Sequence, residues 1–229
     1  MWHANPPTFR LTLRVLARLL QYPDATRRAS LGALADALQG EAALPVARQA
    51  ELLTLMRQLQ AQPGLRTESD YVDLFDRGRS TSLHLFEHVH GDSRDRGPAM
   101  IDLVRTYEAA GLYLGPDELP DYLPVLLEFA STQPPLQARA FLAETAHILR
   151  AIFSALLKRR SGYASVLAAA LELAGERVEA VAVAPEPRLD DSWSEPEVFG
   201  GCSTAGQARP APVQAIRIHK KPVSFGAPA

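Results

Sequence analysis

The sequence is poor in several features that mark particular classes of protein. It has a single cysteine, Cys202, so no disulfide can form within the chain, which suits a reducing compartment. Charged residues interrupt each leucine-rich stretch, so no apolar run approaches the ~20 residues that a transmembrane helix needs. The first residues show no basic segment followed by an apolar one, and we expect no signal peptide. These absences favour a cytoplasmic protein without stable membrane insertion.

The chain also lacks an excess of charge and the common catalytic motifs. Its formal net charge of −2 and its pI near 6.3 argue against a general nucleic-acid binder. There is no Gly-x-Gly-x-x-Gly after a strand, no phosphate-binding loop and no Gly-x-Ser-x-Gly elbow. Cys202 lies in a Gly-Gly-Cys-Ser segment with no positioned base, which a nucleophile requires. We therefore expect neither enzymatic activity nor a bound cofactor.

What the sequence does have is helical periodicity. Apolar residues recur with the spacing of amphipathic helices from residue 9 to about residue 175, and no run alternates as a strand does. With 229 residues, 47% of them hydrophobic, the chain can bury a sizeable core. We predict an all-α fold, a single compact bundle of roughly eight helices. The helical stretches are residues 9–21, 26–39, 45–62, 67–75, 80 or 82 to 90, 98–110, 120–130, 135–160 and 163–174.

The composition changes at Pro185. Seven of the 18 prolines lie among the last 45 residues, and no helical or strand period continues there. A segment of this kind buries too little apolar surface to form a core. We therefore predict an all-helical domain over residues 1–184 and a flexible proline-rich tail over residues 185–229.

Four local signals make sharper predictions. Thr67 followed by Asp70 has the form of a capping box, which predicts that a helix begins there. Gly40 is placed to end the second helix. Pro124 would lie about one turn into its helix, where the missing N–H bends or loosens the first turn. Residues 135–160 have so wide an apolar arc that we expect one long helix at the centre of the bundle.

Arg10, Arg14 and Arg18 fall on one face of the first predicted helix. A solvated polar face accounts for this stripe without any partner, since such faces are common on amphipathic helices. The alternative is a scaffold whose stripe contacts RNA or another acidic surface, and such binding would depend strongly on salt.

Three histidines, His84, His88 and His90, lie close together. The first two are spaced i, i+4, close enough on one helix to chelate a metal. The order of residues is not that of a His-Glu-x-x-His protease, and no cysteine nearby supplies a third ligand. A metal-dependent sensor or hydrolase therefore remains an alternative. We favour the interpretation that these histidines are polar side chains at the rim of a groove, and predict no metal site.

The stretch from residue 70 to residue 97 combines aromatic side chains with acidic ones. Tyr71, Leu74 and Phe75 fall on one face of one helical turn. An apolar cleft with an acidic rim suits an amphipathic peptide that carries basic residues. Ordinary core packing explains the same apolar spacing, so periodicity alone leaves both interpretations open.

The same residues carry a resemblance to a known family. The runs Tyr-Val-Asp-Leu-Phe-Asp-Arg-Gly at 71–78 and Leu-Phe-Glu-His-Val-His-Gly-Asp-Ser-Arg-Asp-Arg-Gly at 85–97 resemble the NarJ-type assembly chaperones of respiratory nitrate reductase. These belong to the wider group of redox-enzyme maturation chaperones. Glu-Leu-Pro-Asp at 118–121 matches a second motif, and the likeness extends over roughly residues 9–175.

The resemblance implies an all-helical cytoplasmic protein that is not an enzyme. Its partner would be the apo catalytic α subunit of membrane-bound nitrate reductase, bound partly through an N-terminal signal-like peptide. The subunit would be held competent for insertion of the molybdenum cofactor and an iron–sulfur cluster before it docks on its membrane partner. We expect the chaperone itself to be a monomer or weak dimer.

The predicted peptide-binding residues follow from the motifs and the apolar pattern. They are Tyr71, Leu74, Phe75, Phe86, Glu87, His88, Glu118, Pro120, Asp121 and Tyr122. The chain departs from the family pattern at Tyr122, because the wider family usually has histidine after the Pro-Asp pair. A role that needs an ionisable ring there does not carry over, whereas a packing or hydrogen-bonding role does.

Overall fold

The structure is a computed structural model, and it describes residues 8–182 except Asp92 and Asp117. Within these residues the chain is all helical, as predicted, with eleven α-helices, one 3₁₀-helix and no strand. An isolated antiparallel bridge joins His84 to Tyr122. The tail predicted over residues 185–229, with Cys202, lies outside the described residues, so the domain boundary stays a prediction.

The eleven α-helices are joined mostly by short connections, and the 3₁₀-helix Arg79–Thr81 lies between the fifth and the sixth. In chain order they are α1 (Arg10–Leu19), α2 (Ala25–Ala29), α3 (Leu31–Glu41), α4 (Val46–Ala61), α5 (Gly64–Phe75), α6 (Leu85–Val89), α7 (Arg96–Ala109), α8 (Leu123–Thr132), α9 (Pro135–Glu144), α10 (Ala146–Lys158) and α11 (Ala164–Ala174).

The last helix lies at the centre of the core. Every residue of α11 except Glu172 is buried, and helices α1, α4, α9 and α10 pack on it. Helix α1 also packs on α8, through an apolar face on which Leu13, Leu16 and Leu20 are at most 1% exposed. The arginines on the opposite face of α1 are exposed. This arrangement leaves α1 and α8 as neighbouring surface helices backed by the core.

Residues 135–160 form two helices instead of the single one predicted. Helices α9 and α10 meet at Thr145 with a bend of 66°. The Thr145 hydroxyl donates to the Leu142 carbonyl at 2.9 Å, which gives that carbonyl a partner where the helical ladder breaks. Among the described residues, no single helix is long and apolar enough to cross a membrane. Helices α9 and α10 taken together have the length and composition of a span, but they are bent at Thr145.

The capping box predicted at the start of α5 is wrong. The helix begins at Gly64, directly after Pro63, so Thr67 lies within its first turns. The Thr67 hydroxyl donates to the Pro63 carbonyl at 3.2 Å, and Asp70 pairs with Arg66 at 3.7 Å. Proline before the first helical residue directs the chain into the helix, and this signal outweighed the side-chain pattern.

Two other helix boundaries differ from the prediction. Helix α3 continues through Gly40 and ends at Glu41, and the next residue, Ala42, takes the left-handed conformation with φ of 50°. Helix α8 begins at Leu123, so Pro124 lies in the first turn, where the missing N–H is not needed.

Candidate functional site

Residues 82–84 are extended, and they pair with the residues just before α8. The amide of Leu123 donates to the carbonyl of Leu83 at 2.9 Å, and the amide of Leu85 donates to the carbonyl of Asp121 at 3.0 Å. This pairing divides the helix predicted over residues 80–90 into the 3₁₀-helix and the short α6. It also joins the two motifs of the sequence, at 85–97 and 118–121, in one junction.

Asp121 is the buried centre of that junction, with no exposed surface. Its Oδ2 accepts a hydrogen bond from the Phe86 amide at 3.1 Å and lies 3.8 Å from the Arg96 guanidinium. Its Oδ1 faces the Nδ1 of His84 at 3.5 Å. A buried carboxylate requires such partners, because removing its charge from water is costly. Asp121 therefore supports the junction from within and does not reach the protein surface.

The other acidic and aromatic residues predicted on α6 belong to the same junction. The Oε1 of Glu87 lies 3.8 Å from the Arg96 guanidinium, which is thus shared by Glu87 and Asp121. Phe86 is half-buried and packs edge-on against His90, with 5.4 Å between the ring centroids. The Glu87–Arg96 pair links α6 to the start of α7, and Asp121 links both to the loop before α8.

The premise of a histidine metal site on one helix is wrong. Helix α6 begins at Leu85, so His84 lies in the extended segment before it, and its ring stacks on Tyr122 with 5.2 Å between centroids. The Nε2 of His88 is 2.9 Å from the carbonyl of Ser82. Across residues 8–182 as described, no group of three or more histidine, cysteine, aspartate or glutamate side chains is arranged to hold a metal ion.

The turn that carries Tyr71 and Phe75 forms an aromatic cluster with Tyr22 and Tyr163. The ring centroids of Tyr71 and Phe75 are 4.8 Å apart, those of Phe75 and Tyr163 5.1 Å, and those of Tyr22 and Tyr71 5.7 Å. The Tyr71 hydroxyl donates to the carbonyl of Leu20 at 2.6 Å, which satisfies an acceptor at the end of α1. Tyr71 and Phe75 are only 5% and 4% exposed, so they serve the core as well.

Tyr122 completes the cluster. Its hydroxyl lies 3.4 Å from both the Tyr71 hydroxyl and the Leu20 carbonyl, at the long limit of a hydrogen bond. Burial raises the pKa of Tyr71 and the pKa of Tyr122 above the usual value of a phenol, so both rings are neutral at physiological pH. At this position the ring packs and hydrogen-bonds without carrying a charge.

A cleft of about 510 Å³ opens beside the aromatic cluster, and we call it the aromatic cleft. Its apolar lining comes from Tyr71, Phe75, Leu83, Leu119, Tyr122 and Val125. Its carboxylates are those of Asp76, Glu118 and Glu128. Arg27 also lines the cleft, but its guanidinium pairs with Asp24. The cleft thus combines an apolar floor with an acidic edge.

Four of the predicted site residues line this cleft: Tyr71, Phe75, Glu118 and Tyr122. The others do not line it. Phe86, Glu87, His88 and Asp121 belong to the junction described above, and Leu74 packs against the core. Pro120 is buried, and its carbonyl accepts a hydrogen bond from Tyr107 at 2.8 Å. Peptide binding by any of these residues stays a prediction.

The sequence-based prediction missed Asp76, Leu119, Val125 and Glu128. Asp76 directly follows Phe75, and adjacency to the aromatic turn was its only signal. Val125 and Glu128 follow Tyr122 at helical spacing, so a correct start for α8 would have identified them. Leu119 lies in a loop without any period, and its only signal was its place within the Glu-Leu-Pro-Asp motif.

Comparison with known proteins agrees with this architecture. Residues 22–169 match the family model described as nitrate reductase delta subunit. The chain is 39% identical over 198 residues to the nitrate reductase molybdenum cofactor assembly chaperone NarJ of Escherichia coli strain K12, covering 82% of this chain and 84% of that protein. It is 34% identical over 176 residues to a protein named NarJ in Bacillus subtilis strain 168, covering 76% and 95%.

A solved structure shows the same fold at lower identity. The crystal structure of a redox enzyme maturation protein from Archaeoglobus fulgidus superposes with a TM-score of 0.51. The two sequences are 20% identical, and the match covers 77% of this chain and 98% of the other. At this identity the likeness establishes the fold alone.

Proposed function

This chain belongs to the nitrate reductase delta subunit family, and we propose from that premise that it binds the apo catalytic α subunit of membrane-bound respiratory nitrate reductase. The family resemblance read from residues 71–97 and 118–121 is confirmed by the match over residues 22–169. The relatives are named as assembly chaperones and not as catalysts, and the chain is accordingly a chaperone without a reaction of its own.

The observation that carries the proposal is the aromatic cleft. A signal-like peptide offers an amphipathic helix with basic residues, and such a helix binds with its apolar side in a groove. Tyr71, Phe75 and Tyr122 supply the apolar surface, while Asp76 and Glu118 supply charge of the opposite sign to the peptide. We expect the N-terminal peptide of the catalytic subunit to occupy this cleft.

The consequence of binding is that the catalytic subunit stays competent for insertion of the molybdenum cofactor and an iron–sulfur cluster before it docks on its membrane partner. The chaperone works in the cytoplasm, as a monomer or weak dimer, and needs no cofactor. Release must follow insertion, so the affinity for the peptide is expected to be moderate.

The experiment is a calorimetric titration of the full chain with a synthetic N-terminal peptide of the nitrate reductase catalytic subunit. Alanine at Tyr71 and Phe75 would remove two core rings, at about 3–5 kcal/mol each, so a loss of binding in that variant would report unfolding. Leu119→Ser is the better variant, because Leu119 lines the cleft and is 47% exposed.

Leu136→Ser is the matched control, since Leu136 is 74% exposed on α9 and does not line the cleft. We expect saturable binding of the peptide to the wild-type chain and to the control. In Leu119→Ser the affinity should fall roughly fivefold to tenfold, because about 1–1.5 kcal/mol of apolar contact is lost. Equal affinity of all three proteins would exclude the cleft as the site, and absence of binding to the wild type would exclude this peptide as the ligand.

The alternative of a metal-dependent sensor or hydrolase is not favoured by any contact of the histidines. His84 and His88 do not share a helix, and each interacts with a group of the protein's own junction.

A further inference from the structure

The aromatic cleft adjoins a second concavity of about 440 Å³, which we call the arginine basin. The two share Glu118, Val125 and Glu128 in their linings. The basin adds Arg14 and Arg18 of α1, over a floor that includes Tyr107 and Phe129, whose ring centroids are 4.7 Å apart. We call these two adjoining concavities the groove, with the cleft and the basin as its two compartments.

Helices α1 and α8 set the length of this groove. Along α8 the lining extends from Tyr122 in the cleft to Thr132 in the basin, and ten residues of helix span about 15 Å. Along α1 it extends from Arg14 in the basin to Tyr22 just beyond the helix in the cleft. A groove of about 15 Å accommodates nearly three turns of a guest helix.

The rim of the groove offers apolar surface along both compartments. Leu119 lines the cleft and is 47% exposed, and Tyr113 lines the basin and is 79% exposed. Exposed apolar side chains of this size beside a concave surface are typical of a site that binds a partner. A single amphipathic helix would cover both residues, whereas a peptide confined to the cleft would leave Tyr113 in water.

The charges of the groove are not symmetric. Asp76 lines only the cleft, and Arg14 lines only the basin. Between them, Glu128 lies 3.8 Å from the Arg18 guanidinium, so these two charges offset each other. Glu118 accepts a hydrogen bond from the Gly115 amide at 2.9 Å. The cleft thus has an excess of carboxylates, whereas in the basin Arg14 and Arg18 balance the shared Glu118 and Glu128. Asp76 and Arg14 lie in different compartments of the groove.

We infer that this groove, if it is the peptide site proposed above, admits a helical guest in one direction only, with a basic amino-terminal turn against Asp76 and a carboxylate-bearing carboxy-terminal turn against Arg14. A helix carries partial positive charge at its amino end and partial negative charge at its carboxy end, so its backbone favours the same direction. The guest is therefore an amphipathic segment of nearly three turns whose charges change from positive to negative along the chain.

Direction is tested with the catalytic subunit's synthetic N-terminal peptide carrying a photoreactive benzoylphenylalanine in either its first or its last helical turn. Trypsin cuts this chain after arginine, so fragment 67–77 reports on the cleft, and fragments 11–14 and 15–18 report on the basin. We expect the amino-terminal probe to label fragment 67–77 and the carboxy-terminal probe to label the α1 fragments. The reverse pattern, or equal labelling of both ends, would overturn the inference.

A pair of charge variants provides a second measurement. Arg14→Glu reverses the basin charge, whereas Arg10→Glu makes the same change one turn earlier on α1, outside the groove lining. We expect Arg14→Glu to weaken peptide binding roughly threefold to tenfold at low salt, with a smaller effect at high salt, and Arg10→Glu to leave it unchanged. Replacing the peptide's carboxy-terminal acidic residue by lysine should restore binding to Arg14→Glu.

The outcomes distinguish the proposed peptide binding from the proposed direction of the bound helix. Peptide binding that is equally insensitive to both arginine variants overturns the direction while leaving the proposed function intact. Failure of the unlabelled peptide to bind the wild-type chain overturns both, because no guest then occupies the groove.

Discussion

The carboxylate of Asp121 accepts a hydrogen bond from the backbone amide of Phe86, 35 residues earlier in the chain, at 3.1 Å. This contact ties the loop before α8 to the first turn of α6, where an amide has no partner within the helix. Because the Glu-Leu-Pro-Asp motif ends at Asp121 and the other motif surrounds Phe86, the two most distinctive runs of the sequence stabilise one junction. Its side chains hold one wall of the cleft in place.

Asp121→Ala is expected to lower the free energy of unfolding by about 2–4 kcal/mol, because it leaves the Phe86 amide and the Arg96 guanidinium without their buried partner. Urea denaturation followed by circular dichroism measures the change. Asp102→Ala is the control, since the Asp102 side chain is 76% exposed and pairs only with a neighbour on its own helix, Arg105. Equal midpoints for the two variants would contradict the structural role of Asp121.

Tyr71→Phe should destabilise the fold by about 1 kcal/mol, because the Leu20 carbonyl loses a hydrogen bond of 2.6 Å and keeps only the longer contact from Tyr122. The ring itself remains, so packing in the cluster is preserved. Tyr113→Phe makes the same chemical change at a side chain that is 79% exposed and should have almost no effect. Thermal unfolding measures both variants. If Tyr113→Phe were less stable than Tyr71→Phe, the stabilising role of the Tyr71 hydrogen bond would be wrong.

Gly78→Ala is expected to be clearly destabilising. A Cβ at this position would come within 2.7 Å of the Arg159 guanidinium and 3.0 Å of the Leu74 carbonyl, close to the buried hydroxyl of Thr81. Gly40→Ala makes the same change inside α3, where nothing lies within 4 Å, and should stabilise the protein by up to about 1 kcal/mol. Opposite shifts of the denaturation midpoint are the expected result, and shifts of the same sign would contradict the packing around Gly78.

Stability should fall as the pH rises above about 10, the usual pKa of a phenol. Burial raises the pKa of Tyr71, Tyr107, Tyr122 and Tyr163 in the folded chain, so the unfolded chain loses those protons first. The stability that this pKa difference contributes is fully present below the pKa of the unfolded chain. It is lost as the pH rises towards the pKa of the folded chain.

Absorbance at 295 nm provides the direct measurement of tyrosine ionisation. Of the six tyrosines, fewer should ionise in the native chain at pH 11 than in the chain unfolded in urea at the same pH. Identical titration curves for the native and unfolded chains would show that the buried phenols are open to solvent.

The sequence predicted the aromatic turn of the groove correctly but misplaced two acidic residues. The aromatic turn with Tyr71 and Phe75 was found by spacing, because helical periodicity is local. Glu87 and Asp121 were taken for rim acids, but the structure pairs both with Arg96 inside the junction. Whether an acidic side chain faces solvent or a buried cation depends on residues far along the chain, which no local pattern records.

Helix boundaries that depend on local residues were also predicted better than the others. Proline and glycine predicted most connections correctly, while the bend at Thr145 and the extended segment over residues 82–84 were missed. The extended segment depends on a tertiary partner, because Leu83 pairs with Leu123, which lies far along the chain.

The sequence by itself determined the all-α class, the amphipathic faces and, through its two motifs, the family, because these depend on residue identity and short-range spacing. Tertiary structure alone decided which side chains line the groove, since Leu119, Val125 and Glu128 share a cleft with Asp76, which lies far earlier in the chain at the end of α5. It also placed Asp76 and Arg14 in different compartments of the groove. A charge acts through its distance to other charges, and those distances are set by the packing of the whole bundle.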